Sequence, residues 1–313
     1  MSLPRFFVDA PTDAFATGSS FTLPAKAAHH AGRALRLAAG ERVEVFNGSG
    51  FAWSGPIGFS ADAAWVEIDA VTEKANESPV FMTLVQSLVA PEKMEWIMEK
   101  AVETGISAIL LVPAERSVTK LSGDRLAKRL SRLTDIARSA AEQCGRNVVP
   151  SISAAPTLKS GLAEAEGEIR LMLAPGAEPR IPKAIRPGLR SAAFAVGPEG
   201  GFTSAEIELA AASGWTPMLL GPRVLRTETA GLAGFKRLPE TSRAEKQSAG
   251  RTLSPNLRNL SSAGSGRPHL RAHFRGARRS AAARRRSTPG AGEPSRPSER
   301  ASSRRFPSLP STP

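Results

Sequence analysis

The stretch Ala193–Ala233 constrains this chain more than any other. It reads A-F-A-V-G-P-E-G-G-F-T, then an Ala-rich amphipathic run, then M-L-L-G-P-R-V-L-R-T-E-T-A-G-L-A. Phe194–Val196 and Met218–Leu220 are short apolar runs of the kind that form buried parallel strands. Each stops at a Gly-Pro pair, Gly197-Pro198 and Gly221-Pro222. Glycine tolerates close backbone approach and proline ends a strand. Thr203 and Glu206 have capping-box spacing, and Thr227 is placed to cap a helix beginning near Glu228. The pattern predicts two loops at the carboxyl ends of neighbouring strands, the crevice where α/β proteins hold ligands.

The rest of the chain supplies the remaining layers. Residues 3–70 read as short strands and turns: Arg5–Val8, Phe21–Leu23, Arg42–Phe46, Phe51–Ile57 and Ala64–Ala70. A helix is expected over Ala25–Leu37, and Asn47-Gly48-Ser49-Gly50 is a hairpin turn. Glu73–Pro79 is polar and reads as a linker. Beyond it, strands at Val80–Val89, Ile109–Val112 and Arg170–Leu173 alternate with helices at Pro91–Thr104, Leu121–Cys144 and Leu158–Ala165. That alternation argues a parallel sheet covered on both faces. Ala174-Pro175-Gly176 makes a third loop at a strand end.

Charge and cysteine content narrow the function classes. The net charge is +13, with 42 Lys+Arg against 29 Asp+Glu. From Lys236 onward there are 18 Lys+Arg and four Asp+Glu, so subtraction leaves 24 against 25 before that point. The body is about neutral, and any RNA-binding surface on it must be local. The single cysteine, Cys144, excludes an intrachain disulfide and a cysteine metal site, and suits a reducing cytoplasm. No apolar run approaches the roughly 20 residues of a membrane span. His29 and His30 are adjacent on a predicted helix, point about 100° apart and are poorly placed to share one ion. No metal site is expected.

Several stretches match one family. R-F-F-V at Arg5, H-H-A-G-R-A-L-R at His29 and V-F-N-G-S-G at Val45 are followed by E-K-M-E-W-I-M-E-K-A-V-E-T-G-I at Glu92. P-A-E-R-S-V at Pro113, A-A-E-Q-C-G-R-N-V-V-P at Ala140, G-P-E-G-G-F at Gly197 and L-G-P-R-V-L-R-T-E-T-A at Leu220 complete the set. The chain resembles the bacterial 16S ribosomal RNA uridine-N3-methyltransferases, the RsmE family of the SPOUT superfamily. The resemblance implies a PUA-like RNA-binding barrel over residues 1–73 and a SPOUT methyltransferase domain over 79–238 with a trefoil knot. It also implies a homodimer, S-adenosyl-L-methionine as methyl donor, and small-subunit rRNA as substrate.

Those implications give each loop a role. Leu173, Ala174, Pro175, Gly197, Glu199, Gly200, Gly201, Leu220, Gly221, Arg223, Val224, Leu225, Arg226, Thr229 and Ala230 are the expected cofactor residues. Leu219, Leu220, Val224 and Leu225 are suited to sandwich the adenine. Uracil N3 must lose a proton, so Glu199 and Glu228 are candidate bases, and Arg226 can stabilise charge on a carbonyl oxygen. A helix-start acid facing the dipole explains Glu228 equally well. Arg5, Arg33, Arg36, Arg116, Gln143 and Arg146 are the expected RNA contacts. A catalytically impaired RNA-binding remnant and a ribose 2′-O-methyltransferase are the competing readings.

The likeness stops after Ala233. From Lys236 to Pro313 there is no Val, Ile, Met or Asp. Such a segment buries too little apolar area to fold, so residues 239–313 are expected to be disordered. The break falls inside an expected helix, which favours out-of-frame translation over a genuine Arg-rich arm. The final helix is expected to run to about Leu238, where Pro239 ends it, and its shortening to weaken the cofactor loops.

Overall fold

The computed structural model describes residues 3–73, 76–120, 122–177, 185 and 188–236. The tail expected to be disordered, and the helix end at Leu238–Pro239, lie outside them.

The N-terminal part is a curled six-stranded sheet. Its elements are β1 (Arg5–Phe7), β2 (Ser20–Thr22), α1 (Ala25–His29), β3 (Arg42–Phe46), β4 (Phe51–Phe59), β5 (Ala64–Glu67) and β6 (Ala70–Glu73). Strand order is β1-β3-β4-β5-β2, with β6 also paired to β4. β4 changes partner midway, pairing β6 through Phe51–Ser54 and β5 through Ile57–Phe59. Gly55 lies at that corner, where a Cβ would overlap the Glu67 carbonyl. Inside, Phe6, Val45, Trp53, Ile57 and Val66 form a separate core. The helix expected over Ala25–Leu37 is shorter: after α1 the backbone widens into a π-helical turn at His30–Ala34, and Arg36 takes φ 54°.

The second part comprises β7 (Phe81–Ser87), α2 (Pro91–Glu103), β8 (Ala108–Val112), α3 (Gly123–Cys144), β9 (Ser151–Ala154) and α4 (Leu158–Glu164). It continues with β10 (Ile169–Leu173), β11 (Ser191–Val196), α5 (Ser204–Ala212), β12 (Thr216–Met218) and α6 (Thr227–Phe235). All six strands are parallel, in the order β12-β10-β11-β7-β8-β9. α2, α3 and α6 pack on one face around Leu84, Met98, Leu133 and Phe235. α4 and α5 cover the other around Val85, Leu162, Met172 and Trp215. β11 and β12 are not neighbours, as the sequence suggested; β10 runs between them. β12 also starts earlier than its apolar run, because Pro217 is tolerated on an edge strand that pairs only with β10.

Both parts belong to one compact unit, and the end of α3 joins them. Arg5 donates to Glu44, to the Arg146 carbonyl (2.8 Å) and to Asn147 Oδ1 (2.7 Å). Asn147 and Gly50 exchange hydrogen bonds, and the Phe7 amide donates to Glu142 Oε1 at 2.7 Å. Arg146 is 3% exposed, bonded to Glu77 and to the Val102 and Ile106 carbonyls. Arg5 and Arg146, expected on the RNA-facing surface, are therefore interior struts. Glu77, expected in a polar linker, is the carboxylate that neutralises Arg146.

Candidate active site

Three consecutive loops leave the carboxyl ends of β10, β11 and β12. Because these strands are adjacent in the sheet, their loops converge, and they enclose a cavity of about 400 Å³. That volume falls in the usual small-molecule range of roughly 300–1,000 Å³. Leu173, Ala174 and Pro175 line one side. Gly197, Glu199, Gly200 and Gly201 form the second, with Leu219, Leu220, Arg223, Val224, Leu225, Arg226, Glu228 and Ala230 on the third. Of the expected cofactor residues, Gly221 and Thr229 fall outside this lining. Thr229 is exposed, one position round the helix from Glu228 and Ala230.

Local chemistry explains why the loops hold this shape. Gly197 follows the last buried strand residue, and a Cβ there would stand 3.1 Å from the Phe202 amide nitrogen. The next helix begins with a complete capping box: Thr203 Oγ1 accepts from the Glu206 amide, and the Glu206 carboxylate accepts from the Thr203 amide. Thr227 behaves differently from the cap the sequence suggested. It is the first residue of α6, and its hydroxyl donates to the Gly197 carbonyl at 2.6 Å while accepting from Gln86 Nε2 at 3.2 Å. Gln86 is fully buried at the end of β7. One hydroxyl thus ties the second loop, the start of α6 and the central strand together.

The two candidate bases sit in unlike surroundings. Glu199 pairs with Lys93 at 3.2 Å and accepts weakly from the Ala90 amide at 3.4 Å. Burial pushes its carboxyl upward, but hydrogen bonds from its own amide, Lys93 and Ala90 outweigh this and leave it below the ordinary carboxylate range. It is charged at neutral pH and a weakened proton acceptor. Glu228 lies in the first turn of α6, half-buried at the cavity wall, and its Oε2 is buried without a hydrogen-bond partner. A buried carboxylate oxygen left open is costly unless a ligand donates to it. Among the described residues no ion pair joins Arg223 or Arg226 to either acid, and both guanidiniums are on exposed residues.

The expected RNA contacts scatter. Arg33 and Arg36 are exposed on the barrel. Arg116 reaches the cavity rim, donating to the Gly200 carbonyl at 2.9 Å. Gln143 is exposed in a different groove beside Glu99, Lys100 and Arg132. Cys144 is half-buried, and burial pushes its thiol up. Sequence reasoning gave no role to Lys93, Val196, Pro198 or Met218 in this lining. Lys93 lies about a hundred residues from Glu199, and only the parallel pairing of β7 with β11, which sets the start of α2 beside the loop after β11, reveals the pair. Among the described residues, no cluster of three or more His, Cys, Asp or Glu side chains is arranged to hold a metal. None of the described helices is long and apolar enough to cross a membrane.

Comparison with known proteins agrees with this architecture. Residues 76–238 match an RNA methyltransferase domain, and residues 23–68 an RNA methyltransferase PUA domain. Ribosomal RNA small subunit methyltransferase E of Mycobacterium bovis is 31% identical over 72% of this chain and 87% of its own length. Its Bacillus subtilis counterpart is 28% identical over 74% and 93%. Among solved structures, a Legionella pneumophila methyltransferase with bound SAM superposes with a TM-score of 0.70 and 32% identity, over 75% of this chain and 96% of that one. Ribosomal RNA small subunit methyltransferase E from Neisseria gonorrhoeae, bound to S-adenosyl methionine, gives 0.67 and 33%, over the same shares. The matched domain ends at residue 238, where the Arg-rich segment begins. A domain match over half the chain, with relatives above 30% identity across two thirds of it, establishes that the chain belongs to the RNA methyltransferase family that includes ribosomal RNA small subunit methyltransferase E.

Proposed function

We propose that this protein transfers the methyl group of S-adenosyl-L-methionine to N3 of a uridine in small-subunit ribosomal RNA. The single observation that carries the reading is the cavity closed by the three strand-end loops, with Glu228 in its wall and the buried Glu228 Oε2 without a hydrogen-bond partner among the described residues. The residues present fit the cofactor. Gly197 and Gly200 keep the second loop tight against its neighbours in the cavity wall: a Cβ on Gly200 would stand 3.1 Å from the Arg116 side chain. Leu219, Leu220, Val224 and Leu225 offer apolar walls for a purine. When bound, S-adenosylmethionine supplies an electrophilic methyl on a sulfonium sulfur.

The chain's own residues then have three tasks. The loops hold the donor so that an acceptor nitrogen can approach in line at about 3–3.5 Å. Glu228 accepts the proton that N3 gives up. Arg226, at the mouth, faces the uracil carbonyl oxygen on which negative charge develops. Glu199, paired with Lys93, fixes the second loop against α2 rather than moving a proton.

The reading extends to assembly. Val224 is 75% exposed on the cavity lining, a position that a second copy of the chain would cover in the homodimer this reading carries. A Cβ on Gly234 would press on the Phe194 ring at 2.9 Å and Thr227 is tied to Gly197, so α6 packs closely on β11, where the trefoil knot implied by the family would hold the chain end.

The test is chemical. Small ribosomal subunits from a strain lacking the gene are incubated with the full chain and labelled S-adenosylmethionine, then digested to nucleosides for mass spectrometry. The reading predicts 3-methyluridine, with Glu228→Gln lowering kcat by about 10²–10⁴-fold. Label on a ribose 2′-oxygen, or a Glu228→Gln variant of full activity, would overturn it.

A further inference from the structure

We propose that the first half of α3 is a phosphate track that delivers the RNA strand to the cavity mouth. This rests on the RNA methyltransferase reading and adds where on the catalytic domain the substrate backbone lies. Arg125, Lys128, Arg129 and Arg132 fall at i, i+3, i+4 and i+7, so they share one face of the helix and span about 10 Å of its axis. Asp124 is the only acid between Lys120 and Thr134.

The two inner arginines set the face in place. Arg129 donates to Glu95 (2.9 Å) and to the Pro91 carbonyl (2.6 Å), and Arg132 makes two bonds to the same Glu95. Their shared carboxyl is pulled down to about 2, first by Arg132 and then by Arg129, against burial. One carboxylate facing two guanidiniums leaves a positive charge over. Arg125 and Lys128 are exposed and have no ion pair among the described residues.

The N-terminal part of this stripe leads to the cavity, whereas Arg132 at its far end lines a separate groove. Pro91, gripped by Arg129, opens α2, whose Lys93 pairs with Glu199 in the cavity wall. Before α3, Arg116 holds the Gly200 carbonyl on the cavity rim, and exposed Lys120 follows it. A strand whose phosphates follow α3 would therefore pass the opening between Gly200 and Glu199. The partner this face fits is a polyanion rather than a protein. Leu126, Leu130 and Leu133 turn away from the stripe toward the core side, leaving no apolar centre of the kind that protein interfaces carry. With Arg5 and Arg146 locked inside the protein, this stripe is an accessible basic surface of the catalytic domain, as Arg33 and Arg36 are on the barrel.

The double variant Arg125→Glu/Lys128→Glu of the full chain tests this. RNA affinity is measured by fluorescence anisotropy on a labelled 16S rRNA fragment across a salt series, alongside methyl transfer to unmodified small subunits. Each lost phosphate contact lowers the salt slope by about 0.7–0.9. The double variant should lose roughly 1.5 in slope and about tenfold in affinity. KM for RNA should rise in parallel, with kcat and S-adenosylmethionine affinity unchanged. Arg125→Gln/Lys128→Gln removes the same two contacts without adding negative charge, so it should lose the same slope of roughly 1.5 and less affinity than the charge reversal. Lys159→Glu, on the opposite face of the sheet, should show none. Wild-type slope and affinity in the double variant, or an equal loss in Lys159→Glu, would overturn the track. Should the wild-type chain bind the fragment with the predicted slope but methylate no RNA, the functional reading falls and the track stands.

Discussion

Two groups of arginines in this protein look alike in sequence and differ in use. Arg5 and Arg146, at the junction of barrel and sheet, are buried; their terminal guanidinium nitrogens donate to carboxylates and carbonyls, and Arg5 Nε alone has no partner among the described residues. Arg223 and Arg226, on the cavity loop, are exposed and carry no ion pair among the described residues. A guanidinium placed in the interior must be paired, because an unpaired buried charge is strongly unfavourable. An exposed one contributes little to stability and remains available to a ligand. The junction arginines therefore support the fold, and the loop arginines are free for substrate.

The contrast can be broken most forcefully at Arg146. Arg146→Ala leaves Glu77 and two carbonyls without their donor and should cost about 3–5 kcal/mol. That corresponds to a fall in Tm on the order of 10 °C, readable by calorimetry. A shift within 2 °C would show that the junction is not carried by this side chain.

Thr227→Val keeps the shape but removes the hydroxyl shared by Gln86 and Gly197. Leaving those buried groups unsatisfied should cost about 1–3 kcal/mol. Part of that should show as weaker S-adenosylmethionine binding by titration calorimetry, with Thr227→Ser restoring it. Equal weakening in valine and serine variants would count against the tie.

Glu142 sharpens the comparison through pH. Burial raises its carboxyl above the ordinary range, while the Phe7 amide, His30, Lys26 and Arg5 pull it back only partly. Its protonated form is thus favoured in the folded protein. That contribution is fully present below the ordinary carboxylate range and is lost as pH rises through the folded value. Glu142→Gln keeps an acceptor for Phe7 and should flatten the decline of Tm across this window. A decline as steep as in the native chain would argue that another group is responsible.

The smallest effect is expected at the loop. Arg226→Ala should change stability by no more than about 0.5 kcal/mol, yet lower methyl transfer. A large drop in Tm would place Arg226 with the junction arginines and erase the distinction.

Much of the fold was legible because it rests on local signals. Apolar runs marked β7, β8, β10 and β11, and the Thr203–Glu206 pair marked the start of α5. The loop glycines and prolines marked the cavity before any geometry was known. Illegible features depend on distant partners or on edge positions. Glu77 and Arg146 are 69 residues apart, and Arg5 and Asn147 are separated by 142. β9, reading Ser-Ile-Ser-Ala, is a short edge strand whose weak alternation carried no strand signal of its own. Thr227 has the right residue type for a cap, but the Gly197 carbonyl, 30 positions away, offers it a buried acceptor. Of the candidate site, sequence supplied most of the cavity wall and both acids. It could not supply Lys93, which pairs with Glu199.

The central claim is that one cavity, bounded by the loops after β10, β11 and β12, receives the methyl donor. Hydrogen exchange of the full chain with and without saturating S-adenosylmethionine tests it most directly. The account predicts slowed exchange in segments 173–177, 197–201 and 219–230, with the barrel amides of β3 and β4 unchanged. Protection centred anywhere else, or no protection at saturating ligand, would contradict it.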